Sequence, residues 1–186
     1  MDDQQKQQPL KLRPGAERIA KLRKQHVAIV KASAAAAVEA ASKIAPDIGY
    51  EMEDGSIFSG LTADGQRIFA MPTDLDVTMT FNDAARRVEE LNADKTLGHD
   101  DWQIPTLENL RVLYKNQNEG KLAGTFNTAS SNGLDYPDWY CSSTEESGRS
   151  LYMYCVRFLY DQENRVRRDN VHLSCRPVRL VAAPGL

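Results

Sequence analysis

Asp101-Trp102-Gln103-Ile104-Pro105-Thr106, running straight into Leu107-Glu108-Asn109-Leu110, is the stretch that decides how this chain folds. Pro105 fixes its own φ and biases Ile104 toward an extended conformation, so the backbone before it should be strand-like and a helix can begin only after it. Thr106 is the natural N-cap, because its hydroxyl can accept a backbone N–H of the first turn. Leu107, Leu110 and Leu113 then recur at helical spacing and turn one face toward a core, with Trp102 as an aromatic anchor ahead of the joint. Such a strand-to-helix joint organises a fold and is not expected to be catalytic.

On the N-terminal side, Thr80 with Asp83 three residues later resembles a capping box, and Phe81, Ala84, Ala85, Val88 and Leu91 form the apolar face of a second helix. Before it, 56–61 and 66–71 are two extended runs around Thr62-Ala63-Asp64-Gly65, where Asp-Gly is a strong hairpin signal. Earlier still, the chain is free of proline and glycine from Ala16 to Ala45, rich in alanine, and stopped by Pro46, which predicts a long helix over 15–46. Val27, Val30, Ala34, Ala37, Ala41 and Ile44 recur along it at steps of three and four. That narrow stripe suits either packing along its own domain or self-association. Residues 1–14 are polar and aperiodic and should form a flexible tail, and 47–186 should form one folded domain.

On the C-terminal side, a Gly/Asn/Ser-rich loop over 116–137 is long enough to require packing on the domain or contact with a ligand. Trp139 to Thr144 reads as a strand. Leu151 to Tyr160 is a longer one, in which Tyr152, Tyr154, Val156, Phe158 and Tyr160 alternate with Leu151, Met153, Cys155, Arg157 and Leu159, so neither face is plainly polar. Arg165, Arg167 and Arg168 read as a solvated loop. His172 to Val181 is expected to be a single strand, with Pro177 at an edge or bulge because it cannot donate to a ladder.

The chain has 186 residues, 41% of them hydrophobic, which supports one sizeable core with an appended element. A net charge of -3 argues against nucleic acid or an anionic membrane as partner. No apolar run approaches the ~20 residues needed to span a bilayer, and the Gln-rich, charged start lacks the pattern of a signal peptide. A cytoplasmic or virion-associated protein is therefore expected. Cys141, Cys155 and Cys175 lack metal-ligand spacing and read as small buried residues; Cys155 with Cys175 is the most plausible cross-strand pair if any two join. His26, His99 and His172 are scattered, so no metal or other cofactor is expected. Ser142, Ser143, His172 and Asp169 have nothing that spaces or activates them as a triad.

Gly-Ser-Ile-Phe-Ser-Gly (55–60), the helix at Phe81, Asp101 to Thr106, Trp139-Tyr140-Cys141-Ser142-Ser143-Thr144, Tyr154-Cys155-Val156-Arg157-Phe158 and Arg176-Pro177-Val178-Arg179 occur in an order that resembles the Lcl C-terminal-like domain family. Members of that family resemble the C-type-lectin-like and formylglycine-generating-enzyme superfold. The resemblance covers about 49–181. It implies an α+β domain in which two helices pack on a small, twisted, mostly antiparallel sheet with long loops over one face. Two departures stand out. The second strand of the pair runs into Leu159-Tyr160-Asp161-Gln162 instead of an Asp-Gly turn, and Tyr140-Cys141 replaces a more usual aromatic pair.

Trp102, Pro105, Thr106, Trp139, Phe158, Arg176 and Arg179 are the expected structural core of that domain. The cysteines fall within predicted strands, unlike the reactive pair of formylglycine-generating enzymes, and the sugar-binding tripeptides of calcium-dependent lectins are absent. No catalytic residue is assigned. What remains is a recognition face: tyrosine and tryptophan combine large contact area with a polar end, and they cluster in the last third of the chain. Tyr136, Tyr140, Tyr152 and Tyr160, with Asn164 and Asn170 on loops, are the candidate ligand-binding residues; Asn127 and Asn132 could join them. The expected function is a non-enzymatic ligand- or receptor-binding module for a protein or glycan, homo-oligomeric through the N-terminal helix and borne by a phage particle or secretion device. Related superfold members include variable ligand-binding proteins in which such a face is diversified. A structural head in the cytoplasm and an enzyme of the formylglycine-generating branch are the alternatives.

Overall fold

Thr106 caps the helix that follows it, with extended backbone (φ -71, ψ 168) and its hydroxyl accepting the Asn109 N–H at 3.2 Å. The residues around this cap tie three parts of the molecule together. In the computed structural model, which describes residues 14–43, 45–75, 78–129, 133 and 135–182, the elements are α1 (Pro14–Lys43), β1 (Ile57–Leu61), β2 (Arg67–Ala70), α2 (Phe81–Ala93), α3 (Leu107–Asn116), β3 (Asp135–Glu146), β4 (Arg149–Arg157), β5 (Gln162–Arg167), β6 (His172–Ser174) and β7 (Val178–Val181). Gln103 exchanges two 2.9 Å backbone bonds with Val178 of β7. Two residues on, the Pro105 carbonyl accepts the Ser143 N–H of β3 at 2.8 Å, and Leu107 N–H donates to the Thr144 hydroxyl at 2.9 Å. Trp102, 2% exposed, exchanges backbone bonds with the Asn92 side chain of α2 (2.8 and 2.9 Å) and donates its indole N–H to the Thr96 carbonyl.

The expected α+β class holds, with two sheets where the resemblance implied one. β1-β2-β7 is antiparallel and three-stranded; β5-β4-β3-β6 is four-stranded, with β3 and β6 its parallel pair. Between the sheets and α3 lies one apolar cluster, with Ile57, Ile68, Leu110, Leu113, Tyr140, Val156, Phe158 and Val178 at its centre. A second lies under α2 and holds Ala84, Val88, Trp102, Cys141, Met153, Cys155, Leu173 and Cys175. Both expected caps and the Asp-Gly hairpin form: Thr80 accepts the Asp83 N–H, and β1 and β2 pair around 62–65. The bulge at Gly60 needs glycine. Its φ of +133° is left-handed, and a Cβ there would come within 2.7 Å of Val112.

Three expectations are corrected. His172 to Val181 is two strands in different sheets, because Arg176 and Pro177 carry the chain across from β6 to β7. The stretch with Arg165 and Arg167, expected as loop, is β5, paired with β4 from Arg157↔Gln162 to Tyr152↔Arg167. Its hairpin turn dispenses with Asp-Gly because Asp161 itself adopts a left-handed φ of 51°, a conformation aspartate tolerates. Lastly, the apolar stripe of α1 divides. Ala34, Ala37 and Val38 are half-buried against the body, where a Cβ on Gly65 would lie 3.3 Å from the Ala37 backbone. Ile19, Leu22, Val27, Ile29 and Val30 project beyond it and are 52–68% exposed. Ile44, Asn132 and most of the expected tail lie outside the described residues. No described helix is long and apolar enough to cross a membrane.

Candidate functional site

The loops are held from below by Arg176, which is fully buried. Its guanidinium donates to Asp74 Oδ1 at 2.6 Å, to the Met71 carbonyl at 3.2 Å, and to the Thr125 hydroxyl and carbonyl at 3.1 and 2.7 Å. The ring of Phe126 stacks 4.4 Å from it. Asp74 also accepts the Tyr140 hydroxyl at 2.6 Å, and that hydroxyl accepts the Asn127 N–H at 2.6 Å. One cation thus closes the segment after β2, the loop after α3 and the crossover into β7 on one another. Burial raises the Asp74 carboxyl above its ordinary value, with Arg176 and the Tyr140 bond pulling the other way. Burial and the neighbouring Asp74 push the Tyr140 phenol up.

Tyr140 is therefore corrected from recognition face to core: it is 0% exposed, and its hydroxyl is occupied at both ends. Trp139 is corrected in the opposite sense. Expected as a core anchor, it is only half-buried and packs on the second cluster from outside. The reason is the pleat: adjacent residues of β3 face opposite sides of the sheet, and α3 covers one side more completely than α2 covers the other.

On the side away from α3, cross-strand rows run Trp139–Arg157–Gln162 and Cys141–Cys155–Asn164. Beyond the reach of α2 this side opens into a shallow cavity of about 170 Å³ lined by Tyr136, Trp139, Asn164, Val166, Val171 and Leu173. Arg157 stands beside it, cross-strand from Trp139. Its Nε donates to the buried Asp138 carboxylate at 2.5 Å, and its guanidinium lies 5.9 Å from the Trp139 ring and 4.6 Å from the Tyr160 ring. Tyr160 is 59% exposed, so the stack presents an open aromatic surface beside a fixed cation.

The structure brings Tyr136, Trp139 and Asn164 to one cavity and links Tyr160 to it through Arg157. Asn170 is exposed next to Val171, in the turn before β6. Tyr152 is not part of the group, because it alternates with Met153 and lies on the α3 side of β4, opposite Arg167. Phe158 and Pro105 are buried as expected, and Arg179 is nearly so, its guanidinium paired with Asp101 and 5.7 Å from the Trp102 ring. Sequence reasoning missed Arg157, Asp138, Val166 and Val171. Arg157 was the available signal, since it keeps phase with Met153 and Cys155 on a strand without a polar face.

Cys141, Cys155 and Cys175 are free and buried. Cys155 and Cys175, expected as cross-strand neighbours if any two joined, are not opposite each other: Cys155 stands opposite Cys141, and Cys175, just past β6, shares a thiol hydrogen bond with Cys141. Burial, helped by Cys141, pushes the Cys155 thiol up to about 12, and the bond to Cys141 together with burial raises Cys175. His99 pairs with Asp54 at 2.7 Å and His172 with Asp135 at 2.8 Å. Among the described residues no group of three His, Cys, Asp or Glu side chains is placed to hold a metal ion.

No curated protein matches this chain. The profile of the Lcl C-terminal domain matches residues 61–179, from the end of β1 into β7, which takes in the Trp102 to Thr106 joint, the Trp139 strand and the Arg176 crossover. With that match spanning well over half its length, the chain belongs to the Lcl C-terminal domain family.

Proposed function

We propose that this protein is a non-enzymatic, C-type-lectin-like module that recognises a protein or glycan ligand through the Tyr136–Trp139–Asn164 cavity and the adjoining Arg157–Tyr160 stack. The observation that carries this is the placement of an exposed aromatic and a half-buried tryptophan around one oriented guanidinium, beside an apolar recess. Aromatic and arginine side chains are the usual anchors of recognition surfaces. Against an enzyme of the formylglycine-generating kind stands the burial of all three thiols. The projecting part of α1 would bury Ile19, Leu22, Ile29 and Val30 against the same helix of another copy, which joins several heads into one oligomer and multiplies a weak affinity. Carriage on a phage particle or secretion device, with a diversified face, is supported by the family resemblance alone.

The test is a panel of immobilised glycans and cell-surface protein extracts probed with the full chain, followed by Trp139→Ala and Tyr160→Ala on any ligand found. Both variants should keep the fold and lose roughly ten-fold or more in affinity, as loss of an aromatic anchor does. Unchanged binding by both variants refutes the placement.

A further inference from the structure

β5 ends the four-stranded sheet, and among the described residues no strand pairs with its outer side. The phase of its backbone is fixed by two hydrogen bonds. Arg168 N–H donates inward to Leu151 O of β4 at 3.1 Å, continuing the ladder, whereas Arg165 N–H turns to the side chain of Asn164 at 2.8 Å. Alternation then places the backbone groups of Gln162, Asn164 and Val166 on β4 and those of Glu163, Arg165 and Arg167 on the open edge. Free edges are usually blunted by charge. Here the charges have an order: Asp161, Glu163, Arg165 and Arg167 change sign about Asn164.

We propose that β5 pairs with β5 of a second copy of this chain, antiparallel and centred on Asn164, which joins two four-stranded sheets into one. Outward-facing residues can pair only with outward-facing residues, so the two-fold must fall on a residue of β5 and not between two. Centring on Glu163 or on Arg165 sets like charges directly opposite each other. Centring on Asn164 sets Glu163 against the partner's Arg165, twice. It alone sets unlike charges opposite each other with no like pair. Within the subunit Glu163 already takes Arg111 at 2.5 Å and Arg165 takes Glu146 at 2.5 Å. The new pairs therefore extend an alternating row of charges. On the opposite side of the pleat, Asn164 and Val166 line the recognition cavity. A two-fold through the sheet turns both cavities the same way, so the dimer would present a paired site; this last consequence, unlike the pairing itself, rests on the proposed function.

The Asn164→Cys full chain tests the contact directly. At the two-fold the pair is not hydrogen-bonded, and its Cα atoms are expected about 4.5 Å apart, within disulfide reach. Under mild oxidation Asn164→Cys should form a disulfide dimer roughly ten-fold or more faster than Asn170→Cys, an exposed control beyond the strand, because the dimer raises the effective concentration of the thiol. Adding Arg165→Glu or Glu163→Arg to Asn164→Cys should each return the rate to that of the control. Mixing those two double variants should restore it, because positions 163 and 165 are then both acidic on one strand and both basic on the other. Association through α1 cannot reproduce this pattern. Equal rates for the two cysteine positions, or a mixture no faster than its components, overturns the proposal; unchanged ligand binding by Trp139→Ala and Tyr160→Ala with the pattern intact would instead count against the recognition site alone.

Discussion

Arg176→Met should be among the most damaging substitutions in this chain, and its cost can be worked from the bonds it breaks. Methionine keeps part of the packing against Phe126 but removes donors to Asp74, Met71 and Thr125, and leaves the Asp74 carboxylate in a buried site with no cation, held only by the Tyr140 hydroxyl and the Asn127 N–H. Removing one partner of a buried ion pair costs about 3–5 kcal/mol, chiefly through the stranded charge. Asp74→Leu in the same chain removes that charge, so the double variant should recover about 1–3 kcal/mol of the loss. The pH dependence follows from the sign of the shift. Burial raises the Asp74 carboxyl in the folded state, so the fold holds its proton more tightly than the unfolded chain does. In Arg176→Met the upward shift grows. The penalty should then be greatest near neutral pH and shrink as pH falls toward the ordinary carboxylate range. Urea unfolding of the wild type and both variants at pH 7 and pH 4.5 measures all of this. A single-variant cost under about 1 kcal/mol, or a double variant no more stable than the single, would refute the view that this cation holds the loops together.

Trp102→Ala should cost about 3–5 kcal/mol, and Trp139→Ala clearly less, since the first is 2% exposed and the second half-buried; equal melting temperatures for the two would contradict the assigned positions. With Cys155 pushed up to about 12, only on the order of one thiol in ten thousand is ionised at pH 8, so labelling by a thiol reagent should wait for unfolding. Rapid labelling of the native protein would place a cysteine at the surface. For α1, Leu22→Glu should lower the sedimenting mass while leaving the thermal unfolding of the head unchanged, whereas Ala37→Glu should destabilise the head, because Ala37 packs on the turn at Gly65. An unchanged mass for Leu22→Glu would mean that the exposed stripe joins no copies.

What could be read from the sequence was whatever local chemistry decides. Pro105 and Thr106 set the joint, Thr80 with Asp83 set the cap of α2, and Asp-Gly set the first hairpin, each through backbone rules that hold inside a few residues. What escaped was decided by partners distant in the chain. The basic stretch 162–167 becomes a strand because β4 offers it a ladder, and no residue within it announces that. His172 to Val181 breaks because Arg176 answers to Asp74, 102 residues earlier. Tyr140 and Trp139 exchange roles for a similar reason. Either could have faced the core, and the register of β3 against β4 and β6 gave the interior to Tyr140. Of the candidate site, the residue types were legible and their side of the sheet was not, since alternation is plain on a strand but its phase is fixed only by what covers each face.

The two proposed contacts of this chain have different geometry, and their combination has a consequence neither has alone. An edge contact centred on Asn164 is isologous and closes on itself as a pair. A helix pair formed by the projecting half of α1 is closed in the same way. A chain carrying two isologous contacts in different places adds copies alternately by helix and by strand, and the assembly closes only where the two two-fold axes meet at an angle that completes a dihedral group. Mass should then rise with concentration in the wild type. Arg165→Glu should leave only assemblies held by α1, Leu22→Glu should leave only pairs held by β5, and the double variant should be monomeric. The cavity at Tyr136, Trp139 and Asn164 lies on the sheet face that the strand contact leaves open, so pairing through β5 would add copies of the proposed site without covering those already present.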